Sequence, residues 1–165
     1  RAGSKNRSYG MTEEHSRLMK YALKEAEKAY EMGEVPVGCV IVFENKIIAK
    51  AYNQIESLND ATAHAEMIAI TSAFASLESK VLKGCSMYVT LEPCSMCAGA
   101  IVLSKIDNLY FGAYDNKAGA CGSVLNITNN ISLNHTVNVY GGILDAECSS
   151  ILKSFFNSKR NYTNH

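Results

Sequence analysis

His64-Ala65-Glu66 and, further along the chain, Pro93-Cys94-Ser95-Met96-Cys97 bring together one imidazole, two thiols and a carboxylate. Zinc takes nitrogen and sulfur ligands in tetrahedral geometry, and a catalytic zinc keeps three protein ligands and an open fourth position for water. His64, Cys94 and Cys97 make such a set of three. Two thiolates cancel the formal charge of Zn²⁺, so its water is less acidic than on a three-histidine zinc, where the pKa is ~7. A carboxylate that takes that proton and returns it later is therefore needed, and Glu66 is the residue in place for it. General acid/base help of this kind is typically worth ~10²–10⁴-fold in rate.

A lone C-x-x-C also serves redox chemistry or a closed structural zinc. A redox pair has no use for the upstream His-x-Glu, and a closed site needs a fourth ligand, which Cys39, Cys85, Cys121 or Cys148 could supply. Cys39 lies in an apolar strand and Cys148 on a helix, both positions where cysteine behaves as a small core residue. Cys121, in a Gly-rich stretch, remains available as a ligand. His15 and His135 read as surface or structural residues.

The elements that must position these groups follow from the pattern. Thr12, Glu13 and Glu14 open a helix with a capping hydroxyl and two acids in its positive first turn. Its stripe of Leu18, Ala22, Ala26 and Ala29 ends at Gly33. Residues 35–43 are nearly all apolar and read as a buried strand, Glu44-Asn45 as a turn, and 46–52 as the returning strand of a hairpin. A polar loop (53–62) leads to an alanine-rich helix over 63–77 with His64 in its first turn. A strand over 87–91 runs into Glu92-Pro93, and a helix over 95–103 begins at the two thiols. Cysteines three apart face one side of a helix, and the positive helix end favours their thiolates. Residues 108–112 and 137–140 read as strands, 113–134 as a long Gly-, Asn- and Ser-rich loop of the kind that is usually functional, and 145–159 as a closing amphipathic helix. This order predicts an α/β domain layered around one sheet, with two helix starts meeting at the sheet edge where such folds bind ligands.

Bulk properties set the class. A chain of 165 residues with 47% hydrophobic content fits one domain that buries roughly 70% of its unfolded surface, and it is not a disordered chain. No apolar run approaches the ~20 residues of a membrane span, so no membrane partner is expected. Residues 1–10 are polar and basic, carry no secretory signal, and read as a loose extension or cloning remnant ahead of a domain over 11–160, with 161–165 as a tail. Six cysteines without a signal segment point to a reducing, cytoplasmic compartment and to metal or core roles. Sixteen basic residues balance sixteen acidic ones, which counts against an extended nucleic-acid surface, although Arg1, Lys5 and Arg7 cluster at one end and Lys153, Lys159 and Arg160 at the other.

The H-x-E…P-C-x-x-C pattern is the signature of zinc deaminases that act on nucleobases. From about residue 11 to 160 the chain resembles the bacterial tRNA adenosine deaminases of the cytidine-deaminase-like superfamily. The resemblance rests on Glu34-Val35-Pro36-Val37-Gly38, Thr62-Ala63-His64-Ala65-Glu66, Tyr88-Val89-Thr90-Leu91-Glu92-Pro93-Cys94 and Met96-Cys97-Ala98-Gly99-Ala100-Ile101. It continues through Phe111-Gly112-Ala113, Asp115, Lys117, Gly119, Gly122, Ser123, Asn134-His135 and Phe155-Phe156. The zinc motif belongs to the whole superfamily, and the later blocks point to the tRNA branch. The resemblance implies a three-layer α/β/α fold around a mixed five-stranded sheet, one Zn²⁺ per chain, a homodimer, and hydrolytic deamination of the wobble adenosine in a tRNA anticodon stem-loop. Carried over by position, Asn53 would hold the purine and the Ala65 backbone would touch it. Ala113, Asp115 and Lys117 would lie along the anticodon loop, and Phe156, Lys159 and Arg160 beside neighbouring nucleotides. A single-stranded loop suits this chemistry, because its base can be splayed into a pocket. Gln54, Tyr114 and Asn157 stand where the family commonly has basic residues, which implies a thinner phosphate-binding surface.

Two other functions share parts of this signature. A deaminase of free guanine or another small base uses the same His-x-Glu and Pro-Cys-x-x-Cys, but has no need of the block from Phe111 to Ser123 or of a basic aromatic tail. A non-catalytic zinc-binding subunit that presents RNA to a partner would have no need of Glu66.

Overall fold

Small residues on the first helix set how closely it approaches the sheet. In the computed structural model, which describes residues 12–163, α1 (Glu13–Glu31) starts at Thr12, whose side chain accepts from the His15 N–H at 3.3 Å. Ala22, Ala26 and Ala29 are fully buried on its inner face, and a Cβ built on Gly38 would collide with the Ala22 carbonyl and the Ala26 amide. Gly38 is thus the contact on which α1 seats against the sheet, and its own N–H is satisfied by Thr90 Oγ1 at 3.1 Å. The polar extension expected over residues 1–10 lies outside the described residues.

The remaining elements are β1 (Gly38–Phe43), β2 (Lys46–Tyr52), α2 (Ile55–Leu58), α3 (Ala65–Leu77), β3 (Cys85–Leu91), α4 (Ser95–Ser104), β4 (Asn108–Ala113), β5 (Asn138–Tyr140) and α5 (Asp145–Thr163). The strands form one mixed sheet in the order β2-β1-β3-β4-β5. β1 runs antiparallel to both neighbours, and β3, β4 and β5 are parallel. Glu44 and Asn45, with φ of 49° and 63°, make the two-residue turn whose twist matches that of its flanking strands. The hairpin has a bulge between Ile41 and Val42, and its outer strand β2 exposes Lys46 and Lys50.

Alternation along the strands separates two cores, as a period of two requires. Cys39, Ile41, Met87, Val89, Leu109 and Phe111 face α3 and α4, together with Ala69, Ala73, Ala98 and Ile101. Val40, Val42, Tyr88 and Ala113 face α1 and α5, together with Leu18, Met19 and Cys148. The result is the three-layer α/β/α architecture expected. Among the described residues no helix is long and apolar enough to cross a membrane.

The differences from the sequence-based expectation have local causes. α2 has four residues, too few to leave a periodic signal, and is fixed by a carboxylate from elsewhere in the chain. β3 begins at Cys85, because Cys85 and Ser86 pair with Phe43 and Val42. His64 caps α3 from outside the helix and is not part of its first turn. α5 runs on to Thr163, past residue 159 where its amphipathic pattern was expected to stop.

The close approach at Gly38 gives a stability test. Gly38→Ala should destabilise the protein by about 3 kcal/mol, at the upper end of overpacking costs, because the obstacles are backbone atoms that cannot rotate away. Denaturant midpoints of the variant and the wild type measure this, whereas Gly99→Ala, inside α4 with nothing near its Cβ, should not destabilise and should gain up to about 1 kcal/mol of helix propensity.

Candidate active site

β2 ends at Tyr52, and the chain crosses from there to the start of α3. Asn53 makes the link. Its N–H donates to the Val37 carbonyl at 3.1 Å, and its side-chain Oδ1 accepts from the Ala65 N–H at 2.8 Å. The first free amide of α3 is therefore capped by a residue outside the helix, which leaves the side chain of the formal cap residue, His64, unused for capping. Cys94 is the cap residue of α4, and its side chain makes no capping bond either. Both cap positions can thus turn their side chains toward each other.

They do so. His64 Nδ1 lies 3.6 Å from Cys94 Sγ and 3.5 Å from Cys97 Sγ, and the three ligand atoms lie within 4.8 Å of one another. Bonds of about 2.05 Å to nitrogen and 2.3 Å to sulfur, at a tetrahedral angle, place N and S about 3.6 Å apart. The spacing and the donor types both fit zinc. Hydrogen bonds from Cys97 and His64 lower the Cys94 thiol to about 3, so it ionises first. The same bond to Cys94, together with burial, holds the Cys97 proton on. His64 is raised above its ordinary value, chiefly by its bond to Cys94. A soft, positive ion is what releases the retained protons from such a set.

Glu66, on the first turn of α3, is 4% exposed, and burial raises its carboxyl above the usual range against the opposing pull of Cys97 and His64. A carboxyl placed so holds a proton more readily than an exposed one, which suits a group that must take up and return one. Cys121, the one thiol left open as a fourth ligand, is buried in the core with its Sγ toward the Pro93 carbonyl at 3.9 Å, outside the His64–Cys94–Cys97 group. Cys39, Cys85 and Cys148 are likewise buried. His15 stacks on Tyr110 and reaches the Tyr88 hydroxyl, and His135 bonds the Ile106 carbonyl, so both are structural.

Of the residues assigned to RNA, Ala65 and Asn53 stand at the site and are bonded to each other. Ala113 is the buried last residue of β4. Asp115 Oδ1 accepts from the Lys117 and Ala118 amides, both at 3.0 Å, and Lys117 is exposed. Phe156, Lys159 and Arg160 lie exposed on α5, whose Phe155 packs inward edge-on to Tyr30 near the end of α1. None of these last three touches the His64–Cys94–Cys97 group.

Two buried acids, outside the residues assigned to the metal or the substrate, hold segments beside the site. Glu34, 1% exposed, accepts from the Ser57 amide at 2.7 Å, the Glu56 amide at 3.1 Å and the Ser57 hydroxyl at 3.0 Å, and so fixes α2 just after Asn53. Glu92, 2% exposed, accepts from the Asp115, Cys121 and Ser123 amides and from the Ser123 hydroxyl. An acid set among apolar residues, with no cation beside it in sequence, was the available signal for both.

Residues 12–113 match the family model of the cytidine and deoxycytidylate deaminase zinc-binding region. Over 144 residues the chain is 51% identical to the tRNA-specific adenosine deaminase of Aquifex aeolicus, covering 87% of this chain and 95% of that one. It is 46% identical over 142 residues to the enzyme of the same name from Bacillus subtilis, covering 86% and 88% of the two chains. A structure from a study of A-to-I editing by tRNA deaminases at the wobble position superposes with a TM-score of 0.80 at 42% identity, over 83% of this chain and 99% of that one. A guanine deaminase from Nitrosomonas europaea shares the fold (TM-score 0.74) at 22% identity, over 85% of this chain and 83% of that one. Fold and site together define a deaminase of the zinc-binding cytidine-deaminase-like class. Within that class, the chain belongs to the family of tRNA-specific adenosine deaminases.

Glu34 predicts a pH dependence. Burial raises its carboxyl, but the Ser57 and Glu56 hydrogen bonds outweigh this and leave it below the ordinary 4.5. A depressed folded value stabilises the protein above the unfolded pKa, and that contribution is lost as the pH falls through the folded one. Wild type should therefore be more stable than Glu34→Gln at pH 7, and the gap should close as the pH drops below 4.5, read from denaturation midpoints across the range.

Proposed function

We propose that this chain converts the wobble adenosine of a tRNA anticodon loop to inosine, consuming one water and releasing one ammonia. The observation that carries the reading is a nitrogen–sulfur–sulfur group within 4.8 Å, next to a buried carboxylate, in a chain 51% identical to a tRNA-specific adenosine deaminase. His64, Cys94 and Cys97 would hold one Zn²⁺ per chain. When bound, the zinc supplies Lewis acidity that activates a water for attack at carbon 6 of the purine. Glu66 takes a proton from that water and delivers it to the departing ammonia; its burial keeps the carboxyl able to hold the proton between the two transfers.

Asn53 holds the purine. Its Oδ1 is committed to the Ala65 amide, which orients the Nδ2 donors for a base acceptor, and the Ala65 backbone lines the same spot. Ala113, Asp115 and Lys117 run along the anticodon loop. Phe156 offers a stacking face, worth roughly 1–3 kcal/mol per stacked base, and Lys159 and Arg160 offer cations to phosphates beside the target. The enzyme works in the cytoplasm as a homodimer.

The direct test is incubation of the purified protein with an anticodon stem-loop and, separately, with free bases. Inosine in the stem-loop with release of ammonia supports the reading; xanthine from guanine with an unmodified stem-loop would replace it with the free-base reaction. Two substitutions test the roles. Glu66→Gln should keep zinc and stem-loop affinity while turnover falls about 10²–10⁴-fold. Asn53→Asp preserves the acceptor for the Ala65 amide but presents an anion to the base, so stability should hold while kcat/KM collapses. A variant that instead melts early and retains its kcat/KM would reduce Asn53 to a helix cap.

A further inference from the structure

The segment after β4 is mostly polar and has little core of its own. Asn116, Lys117, Ala118, Ser123, Val124 and Leu125 are exposed. Beyond Ala120 and Cys121, which reach the core, Glu92 is what gathers its backbone. One oxygen accepts from the Asp115 amide at 3.2 Å and from the Ser123 hydroxyl; the other accepts from the Cys121 and Ser123 amides, both at 3.1 Å. Glu92 forms no ion pair among the described residues, so backbone and hydroxyl donors alone meet its charge. It is also two residues from Cys94, and the Ala120 amide donates to the Pro93 carbonyl between them at 2.8 Å. A Cβ on Gly119 would press into the Glu92 carboxyl group and the Asp115 carbonyl, so the loop runs against the carboxylate with no space between.

We propose that Glu92 is a positioning residue for RNA recognition: its buried carboxylate locks residues 115–123 to the start of the metal-ligand helix α4, and so sets where Asp115 and Lys117 meet the anticodon loop. This rests on the tRNA reading above. A carboxylate suits the task because its two oxygens accept several N–H and O–H donors at once and donate nothing themselves, so it gathers the amides of a loop that sends only Ala120 and Cys121 into the core. Asp115 then closes its own turn onto the Lys117 and Ala118 amides, which passes the anchoring on to Lys117.

Glu92→Gln keeps the shape but replaces one acceptor with a donor, so at least one anchoring bond is lost. With the stem-loop as substrate, KM should rise about tenfold, the value of one charge-assisted hydrogen bond, while kcat stays within about twofold and zinc content is unchanged. Hydrogen exchange at the Asp115, Cys121 and Ser123 amides should accelerate. Gly119→Ala, which displaces the carboxylate without removing it, should give the same pattern, and the double variant should be no worse than the more severe single, because both act on one contact. Ser123→Ala should shift KM in the same direction by less, and these two variants carry the test if Glu92→Gln does not fold. Unchanged KM and exchange would overturn the proposal. Loss of zinc or of kcat at unchanged KM would overturn it too, by making Glu92 a support for the metal ligands. If the wild type leaves the stem-loop unmodified, the tRNA reading fails by itself, and exchange rates in the variants still decide whether Glu92 anchors the loop.

Discussion

Two helices, α3 and α4, begin at the same edge of the sheet, and the rest of the site depends on how their free N-terminal amides are satisfied. A helix start usually spends the side chain of its cap residue on those amides. Here neither cap side chain does so. Asn53 reaches across from the end of β2 to take the first amide of α3, and His64 is released to face the cysteines of α4. The parallel pairing of β3 with β4, joined through α4, and the insertion of β1 between β2 and β3 bring these two helix starts together. By taking that amide, Asn53 frees the imidazole to act as a ligand.

Around this centre the loops are fastened by anions. Glu34 and Glu92 are buried, flank the site, and each gathers amides from a segment too short or too polar to pack by itself. Apolar packing would need bulky side chains at the mouth of a pocket that must admit a nucleotide. Carboxylates give the same definition of backbone position in less volume.

Short-range chemistry was readable in the sequence. His64, Glu66, Cys94 and Cys97 stand out because His-x-Glu and Pro-Cys-x-x-Cys are each compact motifs, although 30 residues separate His64 from Cys94, and the layers of the fold followed from strand alternation and helix caps. For the buried acids the sequence shows only an acid among apolar residues; which amides each one gathers, 22 to 31 residues away, belongs to no motif. The fate of Cys121 was equally unreadable: a Gly-rich sequence shows that the chain turns, but not that the turn folds back on Pro93 and takes the thiol into the core. For Asn53 the base contact that the resemblance implies is compatible with the helix cap it makes, since the cap uses only one end of the amide.

The borders of the sheet also limit how the molecule can associate. An open strand edge is a template on which another chain can add, and proteins blunt it with short strands, bulges and charge. At one border β5 has only three residues; at the other, β2 pairs through a bulged ladder and carries Lys46 and Lys50 on its exposed face. Neither border invites a continuous intermolecular sheet, which guards against fibrous aggregation at high local concentration. Self-association of this chain is thereby left to the helical layers and the loops.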